Sequence, residues 1–317
     1  MEFKYANSLS ELIGNTPLIK VSETNKNCIF GKLEYLNPTG SLKDRTAYGL
    51  LSKAMASGDL REGMGVVEST SGNLGHALAS LCAALQIKFV CVMDPKTSVQ
   101  NVELVKAYGG EVVLVTEKDA DGGYQKNRIK KAREIAANDD GLINLDQYDN
   151  PDALNYHAET TGKEILQQTN GRVDLVVGAV STGSSLCGIA KYLKSVNPNI
   201  KVAAIEPYGS TIFGGISTPF LMNGIGLSFT PKNYEASLID YEMKVSDADA
   251  FATIRKHAKS TGMLLGGSSG AVLYAAKQLA DELDEGMCII ALLPDGGLKY
   301  LSTVYNDDWL NLNGITL

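Results

Sequence analysis

One lysine in this chain has surroundings that suit chemistry. Lys43 lies in the stretch Asn37-Pro38-Thr39-Gly40-Ser41-Leu42-Lys43-Asp44-Arg45. A half-buried pattern over residues 29–36 precedes it and reads as a strand, and Ala47, Leu50, Leu51 and Ala54 follow at helical spacing. Asn, Pro, Gly and Ser supply the turn between them. Lys43 therefore falls close to a helix N-terminus, where the helix dipole disfavours a cation. The same field helps hold the amine neutral, and a neutral amine attacks carbonyls. The plainer reading is a solvated lysine beside Asp44, and for a lone lysine that reading stands first.

Four further turns rich in Gly, Ser, Thr and Asn sit where a strand pattern gives way to a helix pattern. They are Ser69-Thr70-Ser71-Gly72-Asn73-Leu74-Gly75, Ser181-Thr182-Gly183-Ser184-Ser185, Gly266-Gly267-Ser268-Ser269-Gly270 and Pro294-Asp295-Gly296-Gly297. Free N–H groups and hydroxyls at a helix start bind anions. An ordinary N-cap needs one small polar residue, whereas residues 181–185 offer five in a row, which points to a phosphate. The run lacks the Gly-Lys-Ser/Thr ending of a P-loop, and it is not the dinucleotide-binding GxGxxG turn. The donors of the 69–75 turn suit a carboxylate, and Gln147 can supply one more. Ser268 reads equally well as a helix cap or as a hydrogen-bonding hydroxyl. His76, His157 and His257 read as packing histidines.

Taken with the lysine turn, these motifs resemble the fold-type II pyridoxal-phosphate (PLP) enzymes, in particular the cysteine synthase and cystathionine β-synthase family. The resemblance runs from Leu9 to about Thr303. It implies an α/β fold of two open twisted sheets flanked by helices, like the tryptophan synthase β-subunit. Residues 1–46 and 154–317 are expected to form a larger PLP-binding domain, and 47–153 a smaller mobile substrate-binding domain. The cofactor implied is pyridoxal 5'-phosphate, with Lys43 as its Schiff-base lysine and as the catalytic base. Ser181, Thr182, Gly183, Ser184 and Ser185 are expected to hold its phosphate; Ser181 and Ser184 stand where the family usually has glycine. Ser268 is matched to the serine at the pyridine nitrogen, and Asn73 to the residue that meets the phenolic oxygen. Thr70, Ser71, Asn73 and Gln147 are matched to the residues that hold the substrate carboxylate.

The reaction implied is β-replacement on an O-activated L-serine through an aminoacrylate. A neutral partner at the ring nitrogen favours elimination of a leaving group over chemistry that needs a long-lived carbanion. Three segments, 94–101, 119–129 and Gln147-Tyr148, resemble the N-(2-amino-2-carboxyethyl)-L-glutamate synthase branch, which joins O-phosphoserine to glutamate. Residues 160–165 look more like the cysteine synthases. In the first reading Arg128 clamps the leaving phosphate, with Tyr148 and Ser181 adding hydroxyls. The plainer reading leaves Arg128 solvating its helix among Lys126, Lys130 and Arg133. Cysteine synthase, a sulfide-releasing cysteine β-lyase and a regulatory binding protein on the same fold are the alternatives.

These residues need a scaffold, and the chain has the pattern for one. Strand and helix patterns alternate at α/β spacing through both halves, which argues for parallel sheets. Strands are expected over 65–68, 87–93, 111–115, 142–145, 173–180, 201–206 and 288–293. Helices are expected over 74–85, 99–108, 123–137, 161–166, 185–196, 248–262 and 269–283. Residues 210–234 have no periodicity, and loops that long are usually functional. Trp309, the only tryptophan, is expected to be a docking anchor at the surface or a dimer contact.

The bulk numbers limit the partners. A net charge of -7 argues against nucleic acid or an anionic membrane as the main partner. No apolar run reaches the roughly 18 residues of a membrane span, and the N-terminus shows no apolar leader. No two of the three histidines have metal-ligand spacing, so no metal is expected. Five scattered cysteines without a CxxC pair suit a reducing cytoplasm. A homodimer acting on small amino acids is the expectation from the resemblance.

Overall fold

The computed structural model describes residues 3, 5–23, 26–120 and 122–317. Met1, Glu2 and Lys4 of the N-terminal reading, and Asp121 of the 119–129 segment, lie outside the described residues.

The strands are β1 (Leu18–Glu23), β2 (Cys28–Leu33), β3 (Gly65–Ser69), β4 (Lys88–Met93), β5 (Glu111–Leu114), β6 (Leu142–Asn144), β7 (Leu175–Ala179), β8 (Lys201–Pro207), β9 (Tyr241–Val245) and β10 (Cys288–Leu293). The helices are α1 (Lys43–Ser57), α2 (Asn73–Ala84), α3 (Val99–Ala107), α4 (Gln125–Ala137), α5 (Asp152–His157), α6 (Lys163–Gln168), α7 (Ser184–Val196), α8 (Asp247–Thr261), α9 (Gly267–Glu282) and α10 (Asp307–Leu312).

The chain forms two compact units. One holds the residues up to Ile13, Asn37–Thr39 and Lys43–Ala153; the other holds Gly14–Leu36, Gly40–Leu42 and Leu154–Leu317. The expected boundary at 46/47 would cut through α1, whose first residue is Lys43. A helix is a continuous hydrogen-bonded rod, so the whole of it, Lys43 included, packs with one unit.

The first unit is a four-stranded parallel sheet in the order β5-β4-β3-β6. Every residue of β3 is buried, as expected of a parallel strand covered on both faces. Because the strands run parallel, the chain leaves β3, β4 and β6 at the same edge. Those exits are Ser69-Thr70, Asp94 and Asp146-Gln147-Tyr148, so the topology gathers three distant stretches of sequence.

The second unit is a six-stranded sheet in the order β1-β2-β10-β7-β8-β9, parallel except for β1, which pairs antiparallel with β2. β10 (Cys-Ile-Ile-Ala-Leu-Leu) is an apolar run buried from Ile289 to Leu293. α9 lies against this sheet with Ala271, Val272, Leu273, Ala275 and Ala276 all buried. α8 shows how local sequence sets an element's ends: the Ser246 side chain accepts from Asp249 N at its start, and Gly262 at φ 76° closes it.

Most expected elements are present within one or two residues of their bounds. Three features differ. β9 is an edge strand whose alternation Tyr241-Glu242-Met243-Lys244-Val245 is short and half exposed, too weak a pattern to read alone. The helix expected over 161–166 is longer, running from α5 through a π-helical stretch Ala158–Gly162 into α6. There Gly162 lies close to Ile189 of α7, and a Cβ on Gly188 would sit 2.2 Å from Leu154 O; only glycines allow that approach. Trp309 is no free surface anchor, since its ring packs 6.3 Å from that of Phe251, against the core of its own unit.

Residues 208–234 form no helix or strand, yet they are well held. The buried Glu206 carboxylate accepts from Ser210 Oγ and from Ile212 N at 3.0 Å, and pairs with Lys244 Nζ at 2.9 Å. Asp247 accepts from Leu221 N and Met222 N, each at 2.9 Å. Among the described residues no helix is long and apolar enough to cross a membrane. All five cysteines are free thiols; Cys82, Cys91 and Cys187 are buried, and Cys28 and Cys288 only partly so.

Candidate active site

Lys43 is the first residue of α1, and burial pushes its amine down to about 8. Lys43 is half-buried, which weighs against a fully solvated lysine. Asp44 does not compensate it by standing free: its carboxylate accepts from Thr39 Oγ1 at 2.8 Å and from Thr39 N at 3.2 Å. That pair closes the turn ahead of α1 and fixes the direction in which the helix starts.

The 69–75 turn opens α2, whose N-cap is Gly72 with no side-chain cap. Thr70 Oγ1 accepts from Gly75 N at 3.2 Å, and Ser71 O accepts from Asn101 Nδ2 at 2.8 Å. Asn101, on α3, thus braces the turn. Asn73 is the first residue of α2, so its side chain leaves the helix at its positive end. Gln147 comes to the same turn from β6, and its Nε2 donates to Ser69 O at 2.8 Å. Thr70, Ser71, Asn73 and Gln147, the four expected carboxylate ligands, are thereby brought together at one sheet edge.

A residue that sequence reasoning missed lies beneath them. Glu68 is 1% exposed, and burial raises its carboxyl to about 8. The signal was present: an acid inside the otherwise apolar run Gly65-Val66-Val67-Glu68 must find partners where the strand is covered on both faces.

Arg128 does not solvate its helix. It is 6% exposed, unlike its exposed neighbours Lys126, Lys130 and Arg133. Its Nε lies 3.1 Å from Asp94 Oδ2. Among the described residues neither Nε nor Nη1 has a hydrogen-bond partner, so the ion pair leaves those donors of the guanidinium unused. Tyr148 is also buried, and its hydroxyl accepts from Gln125 Nε2 at 3.1 Å. Burial raises the Tyr148 phenol, and the Arg128 charge works against that rise. Gln125 and Arg128 are one turn apart on α4, so one helix face carries both.

In the second unit, residues 181–185 join β7 to α7. Gly183 caps α7 at φ 84° with no side-chain cap, leaving the helix's first N–H groups to other partners. A Cβ on Gly183 would sit 2.7 Å from the Asn233 carbonyl and from Tyr234 N. Asn233 Nδ2 donates to Ser184 Oγ at 3.1 Å. Asn233 is the second residue that the sequence reading passed over, hidden in the aperiodic 210–234 stretch. Ser184 and Thr182 are buried, whereas Ser181 and Ser185 are partly exposed.

Ser268 is the second residue of α9 and is 2% exposed. The cap position belongs to Gly266, so capping does not account for the Ser268 hydroxyl. The turn is held by Asp295, whose carbonyl accepts from Gly266 N at 3.1 Å and whose carboxylate accepts from Tyr300 OH at 2.6 Å. His76 stacks near Tyr108, and His157 bonds Thr161 Oγ1 at 2.9 Å, in keeping with packing roles.

These residues fit pyridoxal phosphate. An amine of lowered pKa suits a carbonyl carbon, an uncapped helix start suits a phosphate, and a buried hydroxyl off the cap position suits a neutral ring nitrogen.

Comparison with known proteins agrees. Residues 9–295 match the family described as pyridoxal-phosphate dependent enzyme. The chain is 37% identical over 308 residues to the N-(2-amino-2-carboxyethyl)-L-glutamate synthase of Ralstonia nicotianae, covering 96% of this chain and 91% of that one. The structure of O-ureido-L-serine synthase superposes with a TM-score of 0.90 at 34% identity, over 97% of this chain and all of the other. A hydrogen sulfide-producing enzyme from Fusobacterium nucleatum gives 0.87 at 36% identity, over 94% of this chain and all of its own. With the family pattern running through nearly the whole of its length, this chain belongs to the pyridoxal-phosphate dependent enzymes, on the fold-type II scaffold.

Proposed function

We propose that the protein performs β-replacement on O-phosphoserine with glutamate as nucleophile, the reaction of an N-(2-amino-2-carboxyethyl)-L-glutamate synthase. The observation that carries the donor is Arg128: a buried guanidinium with unused donors, close to a buried tyrosine, suits a doubly charged leaving group. The 37% identity to the Ralstonia enzyme supports the acceptor.

The residues take the following parts. Lys43 carries the cofactor and, once displaced, its Nζ takes the Cα proton and later returns it. The pKa of about 8 keeps a useful fraction of that amine neutral near physiological pH. Thr70, Ser71, Asn73 and Gln147 orient the substrate carboxylate, while Ser181, Thr182, Gly183, Ser184 and Ser185 hold the cofactor phosphate. Ser268 would serve the cofactor's ring nitrogen as a neutral partner, and Asn73 its phenolic oxygen. Bound pyridoxal phosphate supplies the electron sink that makes the Cα proton removable. Arg128 and Tyr148 bind the departing phosphate.

A second reading, sulfide release from cysteine or cysteine synthesis, is favoured by the likeness to the Fusobacterium enzyme at 36% identity. The working unit is a homodimer in a reducing cytoplasm, a reading that rests on the family resemblance and on five scattered cysteines without a CxxC pair.

The deciding experiment supplies O-phosphoserine, O-acetylserine and cysteine in turn, each with glutamate and with sulfide, and reads product masses. The reading requires the glutamate adduct from O-phosphoserine. Cysteine or free sulfide as the sole product would replace it with the second reading.

A further inference from the structure

The two stretches that carry the candidate carboxylate ligands come from strand ends 78 residues apart in sequence, yet they are joined by side-chain bonds. Ser69 N donates to Glu68 Oε1 at 2.9 Å, and Gln147 N donates to Glu68 Oε2 at 3.3 Å. Gln147 Nε2 returns to Ser69 O at 2.8 Å. One carboxyl group thus accepts from both stretches, and the side chain of one stretch reaches the backbone of the other. Glu68 is 1% exposed, and Gln147 is 5% exposed.

The Gln147 stretch would not hold this shape unaided. Asp146 has φ 53°, in the left-handed region that Asp enters more readily than most residues but less freely than glycine. Arg133 holds it from outside through Nε and Nη2 to Asp146 Oδ2, at 3.1 and 2.7 Å. Glu68 holds the next residue from inside. The backbone between them is therefore fixed on both sides, in the manner of strain maintained by its surroundings.

From this geometry we propose that Glu68 is a positioning residue. Its two oxygens set the spacing between the Thr70-Ser71 donors and the Gln147 donor, and hence the affinity for the substrate's α-carboxylate. Glu68 touches neither substrate nor cofactor and acts through the two backbone amides. The inference rests on the reading that Thr70, Ser71 and Gln147 bind that carboxylate.

Glu68→Gln tests it above about pH 8, where Glu68 is ionised and both its oxygens accept, because the amide keeps the volume but accepts with one oxygen only. Its NH2 group then faces one of the two backbone N–H groups, and one of the two ties is lost. In the holoenzyme, KM for the amino-acid donor should rise at least about tenfold while kcat falls less than about threefold. The cofactor's absorbance band should be retained. An unchanged KM overturns the proposal, and so does a parallel loss of kcat, cofactor binding and thermal midpoint, which would mark Glu68 as merely structural. Gln147→Ala separates the inference from its footing. If Gln147→Ala raises KM and Glu68→Gln does not, the tether is wrong and the carboxylate reading stands. If neither Gln147→Ala nor Thr70→Ala raises KM, the carboxylate reading falls, and the tether with it. Should Glu68→Gln fail to fold, amide exchange in the wild-type holoenzyme decides. The Ser69 and Gln147 amides should be protected together and gain protection together when the donor is added. Fast exchange at either one overturns the proposal.

Discussion

Asp94 and Arg128, buried side by side with Oδ2 3.1 Å from Nε, form an ion pair that, among the described residues, leaves part of the guanidinium without hydrogen bonds. A buried arginine normally satisfies its donors, since each one left unmade costs desolvation free energy. A ligand anion that completes the set would recover that cost, and Asp94 holds the side chain in place in the meantime.

Arg128→Ala therefore separates donors by charge. With O-phosphoserine the loss in kcat/KM should correspond to roughly 2–5 kcal/mol, the range for truncating one partner of a buried charge pair. O-acetylserine, whose leaving group is neutral until it departs, should lose much less. Steady-state kinetics with both donors on the same preparation check this; equal losses would make Arg128 structural.

Lys43 gives a prediction in pH. Burial lowers its pKa to about 8, so the neutral amine becomes the major form above that value rather than above the usual 10.5. In cofactor-free protein, the rate of PLP capture should rise with pH along a single titration centred near 8. Lys43→Ala should abolish capture and turnover while leaving the circular dichroism of the fold intact. After borohydride reduction, mass spectrometry should place the cofactor on Lys43, and label on another lysine would overturn the assignment.

Gly183→Ala should weaken phosphate binding. Its φ of 84° is unfavourable for alanine, and the new Cβ would meet the Asn233 backbone at 2.7 Å. Strain of this kind costs on the order of 1–3 kcal/mol, and the loop must move to relieve it. Titration of cofactor-free protein with PLP should show affinity reduced about tenfold or more, the counterpart of 1.4 kcal/mol. Unchanged affinity would mean that the phosphate is held elsewhere.

Glu68 links stability to pH. Its carboxyl is raised from an ordinary 4.5 to about 8 in the folded chain. The folded state therefore binds this proton more tightly than the unfolded one. Its contribution is complete below the unfolded value and is lost as pH rises through the folded one. Between about pH 5 and pH 8, the urea midpoint of the wild type should decline relative to that of Glu68→Gln, whose side chain does not titrate. Parallel curves for the two proteins would show that Glu68 titrates normally.

The sequence by itself determined the α/β alternation, the position of Lys43 at a helix start and the identity of the small-residue turns. Those features depend on local periodicity and turn chemistry, which are written in consecutive residues: β10 and α7 stand where their apolar runs and Ser-rich start put them. Tertiary structure decided the rest. Burial of Arg128, its pairing with Asp94 and the lowered amine of Lys43 depend on what packs around each side chain, and spacing along the chain does not report that. Glu68 and Asn233 acquire meaning only when Gln147 and Ser184 arrive beside them from distant strand ends. Parallel strands bring such ends to one edge, and hydrogen bonds across that edge join residues that no local pattern connects.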